Sequence, residues 1–452
     1  MSPSTANTNH RSGTGLGMRR IVYASLVLAL IVPIALWGSG TVEAPSFVRD
    51  IFEIEPKHLK IAVVLPRGSR EDEFSDGVRL AIKEVNEAGG IEGIPLVIKL
   101  VPEEPFTENT ELEEVVAASM EVADKVSTES NLLAVVGHMS SASALPASSI
   151  YNNRGVLFLA GHATNSSLSN HGFDYVFALQ PTNADSAAMM ARYAVKSGLK
   201  RFVVLYDDTD DGKETTSLFR SWVSRAGGEI LFRGSLASYG RSVDKLLTFL
   251  LDNTVFKRDE IDAFFVTSSS AEDTAKFIRR ARELGLTVPI LGTDNMFSNR
   301  IVEYVGVEKM KDVVGVSLYN EHSKLPIALK FKKDYRDAYK QTQPDLMAAI
   351  GYDSVHLLAF AIEQAGSREP RAIADRLRIM RYEKKFVGAT GPLVFDARGL
   401  VTDTDAYIVR HDGTTFKTVA SYRKPLKWDK IKGDNQAGNN PMLYDTVEPL
   451  LK

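Results

Sequence analysis

The chain reads as an α/β protein: parallel sheets flanked by helices, in two similar lobes, preceded by an apolar N-terminal segment. Three observations predict this. Short β-rich apolar runs alternate with segments whose apolar spacing changes to three and four, the mark of strand-helix alternation. The rhythm restarts near Lys200, which implies a second lobe like the first. Residues 132–164, LLAVVGHMSSASALPASSIYNNRGVLFLAGHAT, spell an apolar strand, a Gly-Ser-rich turn, a helix, a second apolar strand and a second polar turn. In such a β-α-β unit both turns fall at the carboxyl ends of neighbouring parallel strands, where open α/β sheets bind ligands. The first turn also opens a helix, whose free N–H groups suit an anion.

From the N-terminus, residues 1–20 are polar and end in Met18-Arg19-Arg20, a pattern of disorder and cytoplasmic placement. Residues 21–37 (IVYASLVLALIVPIALW) form an uncharged apolar run behind that basic flank. This is the pattern of an export signal or of an anchor in the inner membrane. No good small-x-small cleavage site follows, which favours the uncleaved anchor, with the bulk of the chain outside the cytoplasm. Residues 38–57 read as a linker with Pro45 and Pro56. Strands are expected at 61–65, 96–101, 132–137, 156–160, 202–206, 261–267, 289–292 and 313–318. Leu112, Val115, Val116, Ser119, Val122, Ala123 and Val126 share one helical face, and Thr274, Phe277, Ile278, Ala281 and Leu284 another. A helix at 76–87 stops at Ala88-Gly89-Gly90. Residues 423–452 form a polar tail.

Composition removes several functions. With 44% hydrophobic and 25% charged residues the chain is globular, and a net charge of −3 without a long basic block argues against nucleic acid as a partner. The absence of cysteine excludes disulfides, cysteine-ligated zinc, a thiol nucleophile and a lipidated cysteine. No Gly-x-Ser-x-Gly elbow, His-Glu-x-x-His helix or phosphate-binding Gly-x-x-x-x-Gly-Lys-Ser/Thr loop occurs. His138 with Ser140 or Ser141 could be imagined as a base and nucleophile, but neighbouring turn residues rarely face one another. The chain is expected to be no enzyme and to need no cofactor or metal.

Six segments then follow in one order: HLKIAVVLP, DGVRLAIKEVNEAGGIEGIPLVIKLV, AVVGHMSSASALPASSIYNNRGVLFLAGHATN, YAVKSGLKRFVVLYDD, FIRRARELGLTVPILGTD and GYDSVHLLAFAIEQAG. Together they resemble the type I periplasmic binding proteins, specifically the leucine/isoleucine/valine-binding group of solute receptors. The resemblance implies two Rossmann-like lobes joined by three crossover strands, which close around a ligand. One lobe would be residues 58–179 plus 295–386, the other 180–294 plus 387–422. It also implies an extracytoplasmic receptor for a small polar ligand, an amino acid or a related amide or carboxylate, that serves an ABC-type transporter permease. The alternative is a membrane-anchored sensor or regulatory ectodomain that signals through a partner protein.

Carried over motif by motif, the resemblance places the ligand carboxylate at Ser141, with Ser140 beside it. A backbone carbonyl and a threonine hydroxyl would act at His162-Ala163-Thr164. An acid for the ligand ammonium would fall at Asp273. The bland readings are a plain N-cap for the serines, a turn threonine for Thr164, and helix capping for Asp273. Three departures point to a more polar ligand. The usual aromatic-Gly pair falls at Asp211-Gly212, the first strand runs into LPRGSREDEF with Arg67 and Arg70, and the acidic turn after the second strand becomes VPEEPFTENT. Asp207, Asp208, Asp210 and Asp211 lack the spacing of a known calcium loop, so a solvated turn is favoured over a cation site.

Overall fold

The computed structural model describes residues 57–67, 73–104, 111–169, 171–236, 242–252, 256–268, 270–297, 299–340 and 342–423. All of these except Lys57 belong to one compact unit, His58–Lys452. The expected anchor at 21–37, Arg70 and the tail from 424 onward lie outside the described residues.

The first half of the fold begins with β1 (Leu59–Pro66), α1 (Glu73–Glu87), β2 (Leu96–Glu103), α2 (Leu112–Val126), β3 (Leu132–Gly137), α3 (Ser141–Arg154), β4 (Phe158–Ala160) and β5 (Val176–Ala178). Its sheet is parallel throughout, in the order β2-β1-β3-β4-β5. Ile61, Ala62, Val63 and Val64 are fully buried, as a strand covered by helices on both faces requires. In α2, Val115, Ser119, Ala123 and Val126 turn inward, whereas Leu112 stays exposed in the first turn, one residue after the N-cap.

Next come α4 (Asn183–Lys196), β6 (Arg201–Tyr206), α5 (Asp210–Arg225), β7 (Glu229–Ser235), α6 (Val243–Leu251), β8 (Ala263–Thr267), α7 (Ala271–Glu283), β9 (Ile290–Leu291), α8 (Asn299–Val305) and β10 (Val313–Ser317). The parallel part of the second sheet runs β7-β6-β8-β9-β10, the same order as the first sheet with each strand shifted by five. The restart near Lys200 is therefore a repetition of topology. The chain then forms α9 (Pro326–Ala338), α10 (Leu346–Ala365), α11 (Pro370–Ile379) and the small antiparallel sheet of β11 (Phe386–Gly388), β12 (Gly391–Phe395) and β13 (Val401–Thr402). Finally β14 (Asp405–His411) and β15 (Phe416–Arg423) close the second sheet as an antiparallel edge.

Two expected boundaries move. The chain does not leave the second half at residue 295: β10 pairs with β9 on one side and β14 on the other, and its five residues are all buried. Nor does it re-enter that half at 387. The β11–β13 sheet stays with the first half, where Leu400 bridges Ala178 and Phe395 packs edge-on against Phe177. A short run such as VVGVS needs strands on both flanks to hide its backbone, and the first sheet already ends at β5.

α10 is 20 residues long and apolar enough to cross a membrane, but 72% of its apolar window is buried in the protein, so it is a core helix. It crosses α1 closely. A Cβ on Gly77 would lie 2.0 Å from Ala348 O, and one on Gly351 would lie 2.2 Å from Phe74 O. Only glycine permits this approach.

Candidate functional site

A doubly wound sheet in this order opens a crevice between its first and third strands, at their carboxyl ends. In the first half that crevice lies between the residues after β1 and the turn after β3. In the second it lies between the turns after β6 and β8. Of the sequence-selected residues, Arg67 follows β1, Ser140 and Ser141 follow β3, Asp211 follows β6 and Asp273 follows β8, while His162, Ala163 and Thr164 follow β4.

The turn after β3 is tightly specified. Gly137 has φ +120°, and a Cβ there would meet Val64 O at 2.3 Å. His138 follows with φ +48° and a fully buried ring. Its Nδ1 lies 2.8 Å from Glu103 Oε2, and its Nε2 lies 2.9 Å from the Tyr151 hydroxyl. Glu103 also accepts from Met139 N (3.3 Å) and from the Ser143 hydroxyl (3.4 Å). Burial, then the Glu103 charge, pushes the Tyr151 phenol up. The His138 ring is thus committed to a packing network and does not act as a base on the serines. Ser140 is the N-cap of α3, its Oγ accepting from Ser143 N at 3.2 Å. Ser141 therefore sits at the first helical position, with its Oγ accepting from Asn165 N at 3.3 Å.

The turn after β4 leads to the same place. His162 is half-buried, and the methyl of Ala163 belongs to the core beneath the turn. The Thr164 hydroxyl donates to Asn183 Oδ1 (2.7 Å), and Asn183 N donates to Thr164 O (2.7 Å). Asn183 opens α4 behind a capping box of Thr182 and Asp185. With its Oδ1 taken, its Nδ2 donates to Asp211 Oδ1 at 3.3 Å. Asn165 Nδ2 donates to the same oxygen.

Asp211 comes from the first turn of α5, in the second half with Asn183, so the Asn165 bond to it bridges the two halves. Burial pushes its pKa up against the pull of Asn165 and Ser141, and the charges of Asp207 and Asp294 add to the rise. Glu214, one turn further along α5, is also raised, chiefly by burial and further by the Asp211 charge, against the pull of the neighbouring Asn183 and Ser166. Glu214 Oε2 and Asp294 Oδ2 are buried without a hydrogen-bond partner. Asp207 accepts from the Thr209 hydroxyl at 2.5 Å, and Thr209 caps α5. The expected solvated turn fits the exposed Asp208 and Asp210; Asp207 and Asp211 are drawn inward. Among the described residues no group of three His, Asp or Glu side chains is arranged to hold a metal.

Two other selected residues are placed differently. Arg67 forks onto Glu104 Oε1 from Nε (2.9 Å) and Nη2 (2.6 Å), and both side chains are exposed. Asp273 lies in the first turn of α7, where its N–H donates to Ser270 Oγ (3.1 Å) and its carboxylate stands 3.9 Å from Lys276. Sequence reasoning missed Asn165, Asn183, Glu214 and Asp294. Signals existed for each: Asn165 ends AGHATN, Asp294 ends the GTD turn, Thr182-x-x-Asp185 marks the start of a helix, and Glu214 follows Asp211 by one helical turn. A separate groove of about 880 Å³, lined by Glu84, Tyr352, His356, Phe360 and Phe386, lies on α1 and α10 and includes none of the strand-end residues.

Comparison with known proteins agrees with this architecture. The profile of a family described as periplasmic binding protein matches residues 59–415. The Leu/Ile/Val-binding protein of Citrobacter freundii is 24% identical over 76% of this chain and 88% of its own length. The branched-chain amino acid transporter substrate-binding protein of Streptococcus pneumoniae, solved in complex with isoleucine, superposes with a TM-score of 0.69 at 26% identity, over 82% of this chain and 100% of that one. A solute-binding protein of an ABC transporter from Rhodopseudomonas palustris, in complex with 3,4-dihydroxybenzoic acid, shares the fold at a TM-score of 0.67 and 18% identity, over 82% of this chain and 98% of that one.

Proposed function

Because the chain belongs to the periplasmic binding protein family, we propose that it is an extracytoplasmic receptor that closes two lobes around a small polar solute for an ABC-type transporter. The solute is of amino-acid or amide size. One observation carries this reading: the strand-end turns of two sheets with the same strand order meet through Ser141, Asn165, Asn183 and Asp211. A groove that forms between two halves traps a ligand by hinge closure and excludes water from its polar contacts, and no bond need be made or broken. Residues 21–37 act in this reading as the membrane anchor or export signal.

A thermal-shift screen of the full chain against amino acids, amides and small carboxylates tests the proposal. A true ligand at a hundredfold excess over its Kd stabilises the folded state by about 2.7 kcal/mol. It is recovered unchanged by mass spectrometry, and Ser141→Ala weakens its binding. No shift with any class, or a ligand recovered chemically altered, would count against a receptor.

A further inference from the structure

The side-chain amides that a zwitterion's carboxylate would meet at the strand ends are already engaged. Asn165 and Asn183 sit at the turns of the strand ends, and both donate to one side chain, Asp211, beside which Ser141 also stands. Thr164 is committed as well, since its hydroxyl donates to Asn183 Oδ1 and thereby aims the Asn183 amide N–H at Asp211. What remains at the site is negative charge. The groups acting most strongly on Asp211 and Glu214 are neutral donors and other carboxylates, with no cation among them. Glu214 Oε2 and Asp294 Oδ2 are buried acceptors without partners. A buried carboxylate oxygen left unpaired costs several kcal/mol, so such a site favours an occupant that brings N–H donors and positive charge.

We infer that the Asp211 carboxylate takes the place of a ligand carboxylate, so that the solute is an amine or amide without an α-carboxylate, its nitrogen donating toward Glu214 and Asp294. The inference rests on the receptor reading above. A second carboxylate would face Asp211 across neutral donors that are already shared, and like charges in a desolvated site repel.

The test compares amino acids with their decarboxylated amines and their amides: leucine with isopentylamine and leucinamide, arginine with agmatine, and lysine with cadaverine. Binding to the full chain is read by titration calorimetry. At least one amine or amide should bind the native protein roughly ten- to a hundredfold more tightly than its parent amino acid. Asp211→Ala frees the two amide donors and should narrow or reverse that preference, and the near-isosteric Asp211→Asn, which removes the charge, covers the case in which alanine unfolds the turn. Native protein that binds the parent amino acids at least as well as the amines overturns this inference but leaves a receptor standing. Preferences unchanged in a folded Asp211 variant overturn it too. Failure of every probe, together with failure of the broader screen, overturns the receptor reading itself.

Discussion

One imidazole shows how tightly the first crevice is built. His138 is fully buried at φ +48° and links Glu103 at the end of β2 to Tyr151 in α3. Removing one member of a buried ionic or hydrogen-bonded pair strands its partner, at a cost of about 3–5 kcal/mol. His138→Ala should therefore lower the urea midpoint steeply, whereas Tyr151→Phe, which deletes one hydroxyl, should cost only about 1 kcal/mol. Equal midpoints for His138→Ala and the native protein, followed by circular dichroism, would show that the network holds nothing together. Residues at this scale were only partly legible. Ser141, Thr164 and Asp211 are reached through the family resemblance, whose motifs are local and written in consecutive letters at strand ends. Asn183 and Asp294 join them from more distant turns, and Arg67 turns to Glu104, through contacts that no local pattern encodes.

At the level of elements, what could be read followed from burial. Each of the eight expected strands has a counterpart, because parallel strands covered on both faces are continuous apolar runs. The missed strands include β7, an edge strand with half-buried residues, and the β14–β15 hairpin, in which polar and apolar residues alternate. The small β11–β13 sheet was missed as well. It is pinned by Asp353 of α10, which accepts from Ala389 N (2.6 Å), Thr390 N (2.8 Å) and the Thr390 hydroxyl (2.6 Å). Asp353 is fully buried, and burial outweighs those donors, raising its pKa from 3.8 to about 6. A carboxyl raised on folding contributes stability that is present below about pH 4 and lost as pH rises through 6. A shift of two units corresponds to about 3 kcal/mol. The stability of the native protein minus that of Asp353→Asn should accordingly fall by about that amount between pH 4 and pH 7. A flat difference across that range, from urea unfolding at stepped pH, would show that Asp353 does not titrate there.

On the scale of the whole molecule, the chain passes between the halves three times: after β5, after β10 and between β13 and β14. The sequence revealed the repeated rhythm, but only the family resemblance suggested a crossing pattern, since strand partners far apart in the chain leave no local trace. Three linking segments permit a hinge, and the bond from Asn165 to Asp211 joins the halves at their strand ends. A hydrogen bond to a charged group is worth about 1.5–3 kcal/mol. Losing this bond should shift the balance between closed and open forms roughly ten- to a hundredfold. Asp211→Ala should thus enlarge the radius of gyration of the ligand-free protein in small-angle X-ray scattering, and a saturating ligand should reverse the change by supplying its own contacts across the crevice. If the native and variant proteins scatter identically without ligand, Asp211 does not set the closure equilibrium. The halves would then be held together by the linking segments and their packing alone.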